Sequence, residues 1–402
     1  MHPYTRPFYI FFLVFPAGIS QGFVTVALPY LLVQNSFSVA AAAGVVAIGF
    51  SANLWRFIWG PVVDMSLSLR RWYGIGLLIS YASLLLLCIT PLSPAKAVFL
   101  SFIVFVSQAA ATFTLLPVNG FMGKSIQLKD KGKASGWYQA GSLAGVGLGG
   151  GAGLWFTTHF SALVAGLALC VISGLFALMI FLIQDIKHVK EHGFVQEIKG
   201  MGKDILSMLK IPVALFAIIL VSLPIGSGAM ANIWSAVAQD WHAGADTVAL
   251  VTGLLSGLVS AVGCVMGGFL VDKKGLWTAY FGSGIICAAL TLMMAAMPYK
   301  PVVFIAGVLA YTFGIGLINA AFTAVILFAV GKKNVATKYS LVASLGNLPV
   351  VYMTAFDGWM HDAYKSKFML ATEAAIGVLF VVICMLVVRW LKAKDLLLQT
   401  IE

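Results

Sequence analysis

Charged residues are scarce in this sequence. Asp, Glu, Lys and Arg together make up 10% of the 402 residues, and only 14 of them are Asp or Glu. A soluble domain of this length cannot cover its surface with so few charges. Together with a hydrophobic share of 61%, this scarcity predicts an integral membrane protein.

Cysteine and histidine are also rare, with five and six residues. The cysteines lie in apolar stretches without a CxxC spacing, which predicts buried apolar side chains and neither disulfides nor a metal site. The histidines are scattered, whereas a membrane enzyme acting on lipid-linked substrates needs clustered His, Asp or Glu. No P-loop pattern is present, which argues against ATP-driven transport by this chain. We therefore expect no enzymatic activity, no cofactor and no metal.

Apolar runs separated by polar breaks recur along the chain. A bilayer core about 30 Å thick needs roughly 20 apolar residues per helix, and twelve runs are long enough. The predicted fold class is an all-α membrane protein with twelve transmembrane helices. The predicted spans are 8–34, 39–63, 74–91, 95–121, 134–157, 161–184, 211–239, 246–271, 276–297, 300–330, 337–360 and 367–391.

The positions of Lys and Arg predict the orientation, because cytoplasmic loops carry an excess of positive charge. All but five of the 25 Lys and Arg residues lie in the tails or in loops on the same side as the tails. Both termini are therefore predicted to be cytoplasmic. We expect the basic loops to contact anionic lipids, with no role in nucleic-acid binding. The exceptions are Lys96, Lys300, Lys365, Lys367 and the intramembrane Arg56.

The longest polar break, 185–210, divides the spans six and six. We predict an N-terminal bundle over 1–184, a cytoplasmic linker over 185–210 and a C-terminal bundle over 211–402. The linker spacing suits either an interfacial helix or a solvated segment. Residues at matching places indicate an internal repeat, since Asn119 and Asn319 occupy spans four and ten, and Gly141 and Gly346 occupy spans five and eleven.

The loops after spans two and eight share a motif. The first reads GPVVD, followed by two arginines, and 208 positions later the chain reads GFLVDKKG. This pair resembles the signature of the major facilitator superfamily, whose transporters have twelve helices in two six-helix bundles. A glycine lets helices approach closely, and an aspartate at a helix end can hold the opposite bundle. We predict a cytoplasmic clasp that stabilises the outward-open state, with simple topology marking as the alternative. Its residues are Gly60, Asp64, Arg70, Arg71, Gly268, Asp272 and Lys273.

Arg56 precedes Asp64 by eight residues, or about 12 Å along a helix, which places it roughly two turns inside the membrane. An intramembrane arginine normally faces a bundle interior or a watery cavity. We interpret it as a substrate or coupling cation. The alternatives are snorkelling to the interface and a structural pair with Asp64 or another group at the cytoplasmic end.

A narrower resemblance begins at the same arginine. RFIWGPVVD resembles the second-span motif of the branch that includes the AmpG muropeptide permease, acetyl-CoA transporters and siderophore permeases. The segments NAAFTAVILFAVGKKNVATKYSLVASLGNLP and DGWMHDAYKSKFMLATEA are similar to the C-terminal region of that branch. The resemblance implies a solute such as a siderophore, a peptide-sugar or an acyl-CoA-like anion.

In the superfamily, spans one, four, seven and ten line the central cavity, so their polar and aromatic residues are the first substrate-site candidates. The Pro224, Gly226 and Gly228 positions are expected to loosen span seven. Hydrogen bonding between helices is the alternative role for each candidate. With Arg56, the substrate-binding candidates are Gln21, Tyr30, Gln108, Asn119, Asn232, Trp234, Tyr311, Asn319 and Asn347.

Proton coupling needs a carboxylate or histidine that changes charge within the membrane. Most acidic residues belong to loops, which leaves Glu373 in span twelve as the first choice and Asp357 in span eleven as the second. A structural carboxylate, either hydrogen-bonded to a neighbour or paired with Lys365 or Lys367, is the alternative for Glu373. Facilitated diffusion without coupling also remains open.

The prediction is therefore a secondary transporter that takes up an organic, anionic solute by alternating access, as a monomer in the bacterial inner membrane. Two alternatives come from other classes. One is a polytopic membrane enzyme acting on a lipid-linked substrate, and the other is a non-transporting sensor built on a transporter fold.

Overall fold

The computed structural model describes residues 6–126, 130–183, 185, 200, 202, 210–330 and 341–393. Nine of the described helices are long and apolar enough to cross a membrane. One of the nine bends sharply and therefore counts as two helical segments. Two further helical segments, interrupted or less apolar, lie at the fifth and seventh predicted spans. Twelve helical segments result, in agreement with the predicted fold class.

The first half contains α1 (Tyr9–Gln34), α2 (39–65), α3 (Leu69–Ile89), α4 (Ala97–Ser125), α5 (131–159) and α6 (Ala162–Leu182). The second half contains α7 (212–241), α8 (Ala245–Lys274), α9 (Leu276–Ala296), α10 (Pro301–Val330), and α11 and α12 within Leu348–Ala393. Apolar side chains such as Leu78, Val98 and Val302 are strongly exposed on the outside of the bundle, as a lipid-facing surface requires. The predicted linker helix lies outside the described residues, and the domain boundaries at 184 and 211 stay a prediction.

Two interruptions shape the second half. α7 is unwound after Val221 and resumes at Ala229, with Gly226 and Gly228 at φ of 57° and 76°. Pro224 has no N–H to donate, and positive φ favours glycine, so the predicted loosening of span seven is confirmed. Leu348–Ala393 changes direction at Lys365, whose φ of 70° and ψ of 171° are not helical. This residue separates α11 from α12.

The predicted place of the basic motif residues needs one correction. We expected Arg70 and Arg71 in a loop, but α3 begins at Leu69, where Ser68 caps the helix by accepting a hydrogen bond from the Arg71 amide at 3.4 Å. Asp272 and Lys273 likewise lie in the last turn of α8. A serine side chain that satisfies a free amide starts a helix earlier than hydropathy alone indicates.

Glycines hold α1 against α5. A Cβ added at Gly141, Gly145 or Gly149 would overlap the carbonyl oxygen of Phe11, Phe15 or Ile19, respectively. The three glycines are four residues apart and therefore share one face of α5. Their absent side chains let the two backbones touch, as expected for small residues in membrane helices.

The halves touch at the end of the bundle that holds the α1–α2, α7–α8 and α11–α12 loops, here called the opposite end. There α5 meets α8, where a Cβ on Gly151 would lie 2.7 Å from the carbonyl oxygen of Ala249. α11 meets α2, where a Cβ on Gly358 would lie 2.5 Å from the Cβ of Ala43. Both contacts depend on a bare glycine.

Toward the other end, which holds the Lys- and Arg-rich loops and is called the basic end, the halves separate. Two glycines lie at the contact between α5 and α8. A Cβ added to Gly147 would lie 3.3 Å from the carbonyl oxygen of Gly253, and one added to Gly257 would lie 3.4 Å from that of Leu143. Gly136 and Gly268 lie about three turns further along the same helix faces. An added Cβ at either would meet no described atom within 4 Å. Within the described part of the chain, a groove between the halves is therefore open at the basic end.

The α1–α5 contact makes a direct prediction. Gly145→Ala forces a methyl group into the carbonyl oxygen of Phe15 and should destabilise the protein by about 1–3 kcal/mol. Gly136→Ala lies on the same helix in open space, where alanine favours the helix by up to about 1 kcal/mol. Thermal unfolding of both variants in detergent, followed by tryptophan fluorescence, measures the difference. Equal melting temperatures would contradict the close contact.

Candidate functional site

Polar residues follow the seam between α2 and α4 in the first half. Gln108 packs against Gly49, where an added Cβ would lie 3.4 Å from its Cγ. One turn along, the Thr112 hydroxyl lies 3.4 Å from Oδ1 of Asn53. The side-chain amide nitrogen of Gln108 is buried without a hydrogen-bond partner. This nitrogen is a donor with unused capacity.

Arg56 continues this seam. It is half-buried and follows the 3₁₀ turn Ala52–Trp55, in which residues three apart lie on the same face. Arg56 therefore lies on the side of α2 that carries Asn53 and faces α4. It forms no hydrogen bond or ion pair with any described residue, and the side chain of Asp64 lies outside the described part of the chain. Arg56 is therefore a permanent cation on the α2–α4 seam, without a counter-charge among the described residues.

A cavity in the second half brings together two of the predicted asparagines. Asn319 of α10 and Asn347, just before α11, line it together with Ser227 from the unwound part of α7. Its volume is about 170 Å³, room for several water molecules or part of a larger solute. Tyr280 and Phe322 supply aromatic surface.

The two predicted coupling carboxyl groups are buried in the second half. Glu373 is 8% exposed and accepts a hydrogen bond from the Tyr311 hydroxyl at 2.9 Å, while its other oxygen has no partner. Asp357 is 0% exposed, with both oxygens unpartnered, and its charge interacts with that of Glu373. Neither forms an ion pair with a described cation. The alternative pairing of Glu373 with Lys365 or Lys367 is absent from the described residues.

A small cavity of about 20 Å³ lies beside Glu373, enough for one water molecule. The unwound Pro224 and Gly226 of α7 line it, together with Thr291 of α9. The break in α7 therefore reaches both the carboxyl group and the asparagine cavity, because Gly226 lines each of them.

Three further predicted residues surround this carboxyl cluster. The Asn232 side chain donates a hydrogen bond to the Thr354 hydroxyl at 3.0 Å, three residues before Asp357. Trp234 packs edge-on against Tyr311, with ring centroids 5.5 Å apart. Asn232 and Trp234 are 4% and 2% exposed, so both lie inside the second half in this conformation. The expectation that they reach the cavity is not met here, because helix contacts enclose them.

The remaining substrate candidates are separate from these groups. Gln21 is half-buried on α1, Tyr30 is 8% exposed, and Asn119 is exposed near the end of α4. The predicted set therefore divides into an α2–α4 seam, an asparagine cavity, a buried carboxyl cluster and three isolated residues.

Among the described residues, the predicted clasp makes no contact between the halves, and the side chain of its Asp64 lies outside them. Asp272 and Lys273 are exposed and pair with no described residue, and Gly60 and Gly268 contact no other helix within 4 Å of an added Cβ. Arg71 is exposed. Arg70 instead joins two helices of its own half, because its amide donates to Asp185 at 3.2 Å and its guanidinium donates to the Ile183 carbonyl oxygen.

Sequence reasoning missed a contact at the opposite end. Asp362 of α11 accepts hydrogen bonds from the Val39 and Ala40 amides at the start of α2, at 3.1 and 3.0 Å. Its neighbour His361 contacts Asp240 of α7 at 2.8 Å through Nε2. Each of these residues is 121 or more positions from its partner in the sequence, and only the HD dipeptide in a poorly charged region was available as a signal.

Comparison with known families decides the classification. The sequence model of the Major Facilitator Superfamily matches residues 10–354. The chain belongs to this superfamily. It is accordingly an integral membrane protein and a secondary transporter, as the repeated motif indicated. A search of curated protein sequences gave no match.

Solved structures of superfamily transporters share the fold. A D-xylose-proton symporter is 13% identical to this chain, with a TM-score of 0.74. The alignment covers 94% of this chain and 97% of the symporter. A bacterial homologue of the human lysosomal transporter Spinster, in an inward-facing and unoccupied conformation, is 15% identical with a TM-score of 0.72, covering 94% and 96%. The nucleoside transporter NupG is 13% identical with a TM-score of 0.70, covering 94% and 98%. Identities this low establish the fold and leave the solute to be argued from the site.

Proposed function

We propose that this superfamily member is a proton-coupled permease for an organic anion, with Glu373 and Asp357 as its coupling groups and Arg56 as its substrate cation. The solute class is that of siderophores, peptide-sugars and acyl-CoA-like compounds. Alternating access carries the solute toward the basic end. The observation on which this proposal depends is the buried, cation-free pair of carboxyl groups.

Burial explains why the pair suits proton binding. An ionised carboxylate without a cation or full hydrogen bonding is costly inside a protein, and the neutral acid is far less so. Glu373 has one hydrogen bond and Asp357 has none, and two neighbouring negative charges would repel each other. In the conformation described, at least one of the two is therefore best accommodated with a proton.

The unwound part of α7 offers a route for releasing that proton. Pro224 and Gly226 separate the cavity beside Glu373 from the asparagine cavity. A movement of the two α7 segments would admit water to the carboxyl group and lower the cost of its charged form. Broken helices at coupling sites are a recurring feature of secondary transporters.

Arg56 supports an anionic solute. The motif pairs Asp64 with Asp272, so the position in the second half that matches Arg56 is Cys264. The permanent charge is therefore present in one half alone. An unneutralised guanidinium near a groove binds a carboxylate or phosphate through charge-assisted hydrogen bonds.

The polar groups of the two halves complement this charge. Gln108 and Asn53 follow Arg56 on the first half, whereas Asn319, Asn347 and Ser227 line the cavity of the second half. A solute with hydroxyl or amide groups would gain hydrogen bonds from both halves. The resemblance to the branch of muropeptide, acetyl-CoA and siderophore permeases favours such a large polar anion.

The orientation follows from the basic loops. The excess of Lys and Arg at the basic end favours its placement in the cytoplasm, in the inner membrane of a bacterium. The conformation described is then open to the cytoplasm and closed to the outside. The described clasp residues make no contact between the halves, which agrees with this orientation, since we expect the clasp to form in the outward-open state.

Removing the charge change at Glu373 tests the coupling. Glu373→Gln keeps the size and the acceptor for Tyr311, but it cannot exchange a proton, so uptake driven by a pH gradient should fall by more than about tenfold while solute exchange without a gradient persists. Transport by proteoliposomes measures both. Asp246→Asn, an exposed carboxylate at the opposite end, is the matched control. Gradient-driven uptake that survives in Glu373→Gln would exclude Glu373 as the coupling group.

The role of Arg56 is tested by ligand-induced stabilisation. A panel of siderophores, muropeptides, acyl-CoAs and simple organic anions is screened by thermal shift, because a ligand at 100 times its Kd stabilises the folded state by about 2.7 kcal/mol. An anionic hit should lose its shift in Arg56→Gln and retain it in Arg389→Gln, an exposed arginine on α12. A shift that persists in a folded Arg56→Gln protein would assign Arg56 to a structural role. A panel without any hit, combined with no transport, would favour the sensor alternative.

A further inference from the structure

The contact between the halves at the opposite end contains titratable groups, Asp362 and His361, that have no part in the proposed transport mechanism. Asp362 bridges the halves, since both of its carboxylate oxygens accept hydrogen bonds from α2 amides, at Val39 and Ala40. The third free amide of α2, that of Ala41, is capped by its own Ser38 at 3.1 Å. Without α11, water would have to replace Asp362 as the partner of the Val39 and Ala40 amides.

Packing reinforces this arrangement. Gly358 lies one turn before Asp362 on α11, and a Cβ at this position would be 2.5 Å from the Cβ of Ala43 and 3.0 Å from the Cα of Ala40. The carboxylate can reach the α2 amides because the glycine allows α11 to approach this closely. Separation of the halves would expose both amides and the carboxylate to water.

His361 connects this bridge to α7. The imidazole is largely buried, and its Nε2 lies 2.8 Å from Oδ2 of Asp240, which also accepts a hydrogen bond from Ser366. The other ring nitrogen, Nδ1, is buried without a hydrogen bond and lies 3.5 Å from Oδ1 of Asp362. A neutral imidazole can donate to one of these carboxylates, whereas a protonated imidazole can donate to both.

The other charged groups around the histidine are few. Lys365 lies close enough to Asp240 for their charges to interact, and Lys367 places its ammonium group 5.0 Å from the ring centre of Tyr299 on the segment before α10. α2 contributes no ionisable side chain over Val39–Ser51. His242 lies two residues after Asp240 and is exposed.

We propose that this contact is a proton-sensitive latch of the opposite end, in which Asp362 holds the start of α2 and a proton on His361 joins Asp240 to Asp362 and strengthens that hold. Histidine changes charge between about pH 5 and pH 8. Acid therefore favours closure of the opposite end, and alkali favours its release. This inference rests on the proposed function in one respect: if the opposite end faces outside, external acid drives the transporter toward the conformation open to the cytoplasm.

A second histidine contact between the halves would also be strengthened by acid, but its effect on closure is smaller. Nε2 of His159 on α5 lies 3.9 Å from Asp246 at the start of α8, and the two side chains are 43% and 73% exposed. Solvent screens a pair this exposed. His159 therefore serves as a control, since it distinguishes the latch, whose histidine is buried, from a general effect of surface charge.

The latch is tested by measuring the distance between the halves directly. Spin labels at Gln34→Cys and Tyr364→Cys, both exposed at the opposite end, are introduced after replacement of the five native cysteines. In detergent without solute, electron–electron double resonance gives the populations with short and long separations. The short-distance population should be about threefold larger at about pH 5.5 than at about pH 8.

The variants separate the latch from other titrations. His361→Gln keeps one hydrogen bond without a titrating charge and should remove the pH response, whereas His242→Gln and His159→Gln should keep it. Asp362→Asn should reduce the short-distance population at both pH values. If His361→Gln does not fold, Asp240→Asn removes the same bridge from the α7 side and should also abolish the response.

Two results would overturn the latch: a wild-type population that does not change with pH, or a pH response that persists in both His361→Gln and Asp240→Asn. The measurement uses neither solute nor a proton gradient. Its failure would therefore leave the transport proposal intact, and failure of the transport assays would leave the latch intact.

Discussion

The cost of placing charge in a low-dielectric interior is the constraint on which the rest of this structure depends. A membrane protein must neutralise, hydrate or pair each ionisable group within its spans. Most charges avoid the problem by lying in the loops. Two exceptions stand out among the described residues of the spans. Arg56, on the α2–α4 seam, has no described counter-charge, and the carboxyl pair of Glu373 and Asp357 has no described cation. Each exception points to a ligand, a solute anion for the first and a proton for the second.

Close contacts between glycines of one half and the backbone or Cβ of the other allow the two halves to change their relative position. At the opposite end, Gly151 and Gly358 each lie in close contact with the other half. Gly136 and Gly268 lie toward the basic end on the same faces of α5 and α8, and no described atom lies within 4 Å of a Cβ added there. The halves behave as two bundles that contact over a short distance and separate beyond it. Such an arrangement costs little to reverse, because few side chains must be repacked when the contact moves to the other end. The break in α7 lines both the asparagine cavity and the small cavity beside Glu373, so a movement of α7 would reach the buried carboxyl groups.

Hydropathy and repeat patterns were sufficient to predict the helical membrane fold and the family, since these depend on composition and local spacing. The same reasoning located Glu373 and Asp357 by elimination, because acidic residues are so rare in the spans. It did not place Asn232 and Trp234 inside the second half, nor find the bridge from Asp362 to α2. Those outcomes depend on which faces of distant helices meet, and the periodicity within a single span does not predict this.

The protonation state of Glu373 tests the central claim most directly. Infrared difference spectroscopy of the purified protein detects the carbonyl stretch of a protonated carboxylic acid and its shift in heavy water. A buried acid without a counter-charge predicts this band near neutral pH in the wild type, and predicts its loss or marked reduction in Glu373→Gln. A wild-type spectrum without such a band near neutral pH, or one unchanged by both Glu373→Gln and Asp357→Asn, would contradict the account.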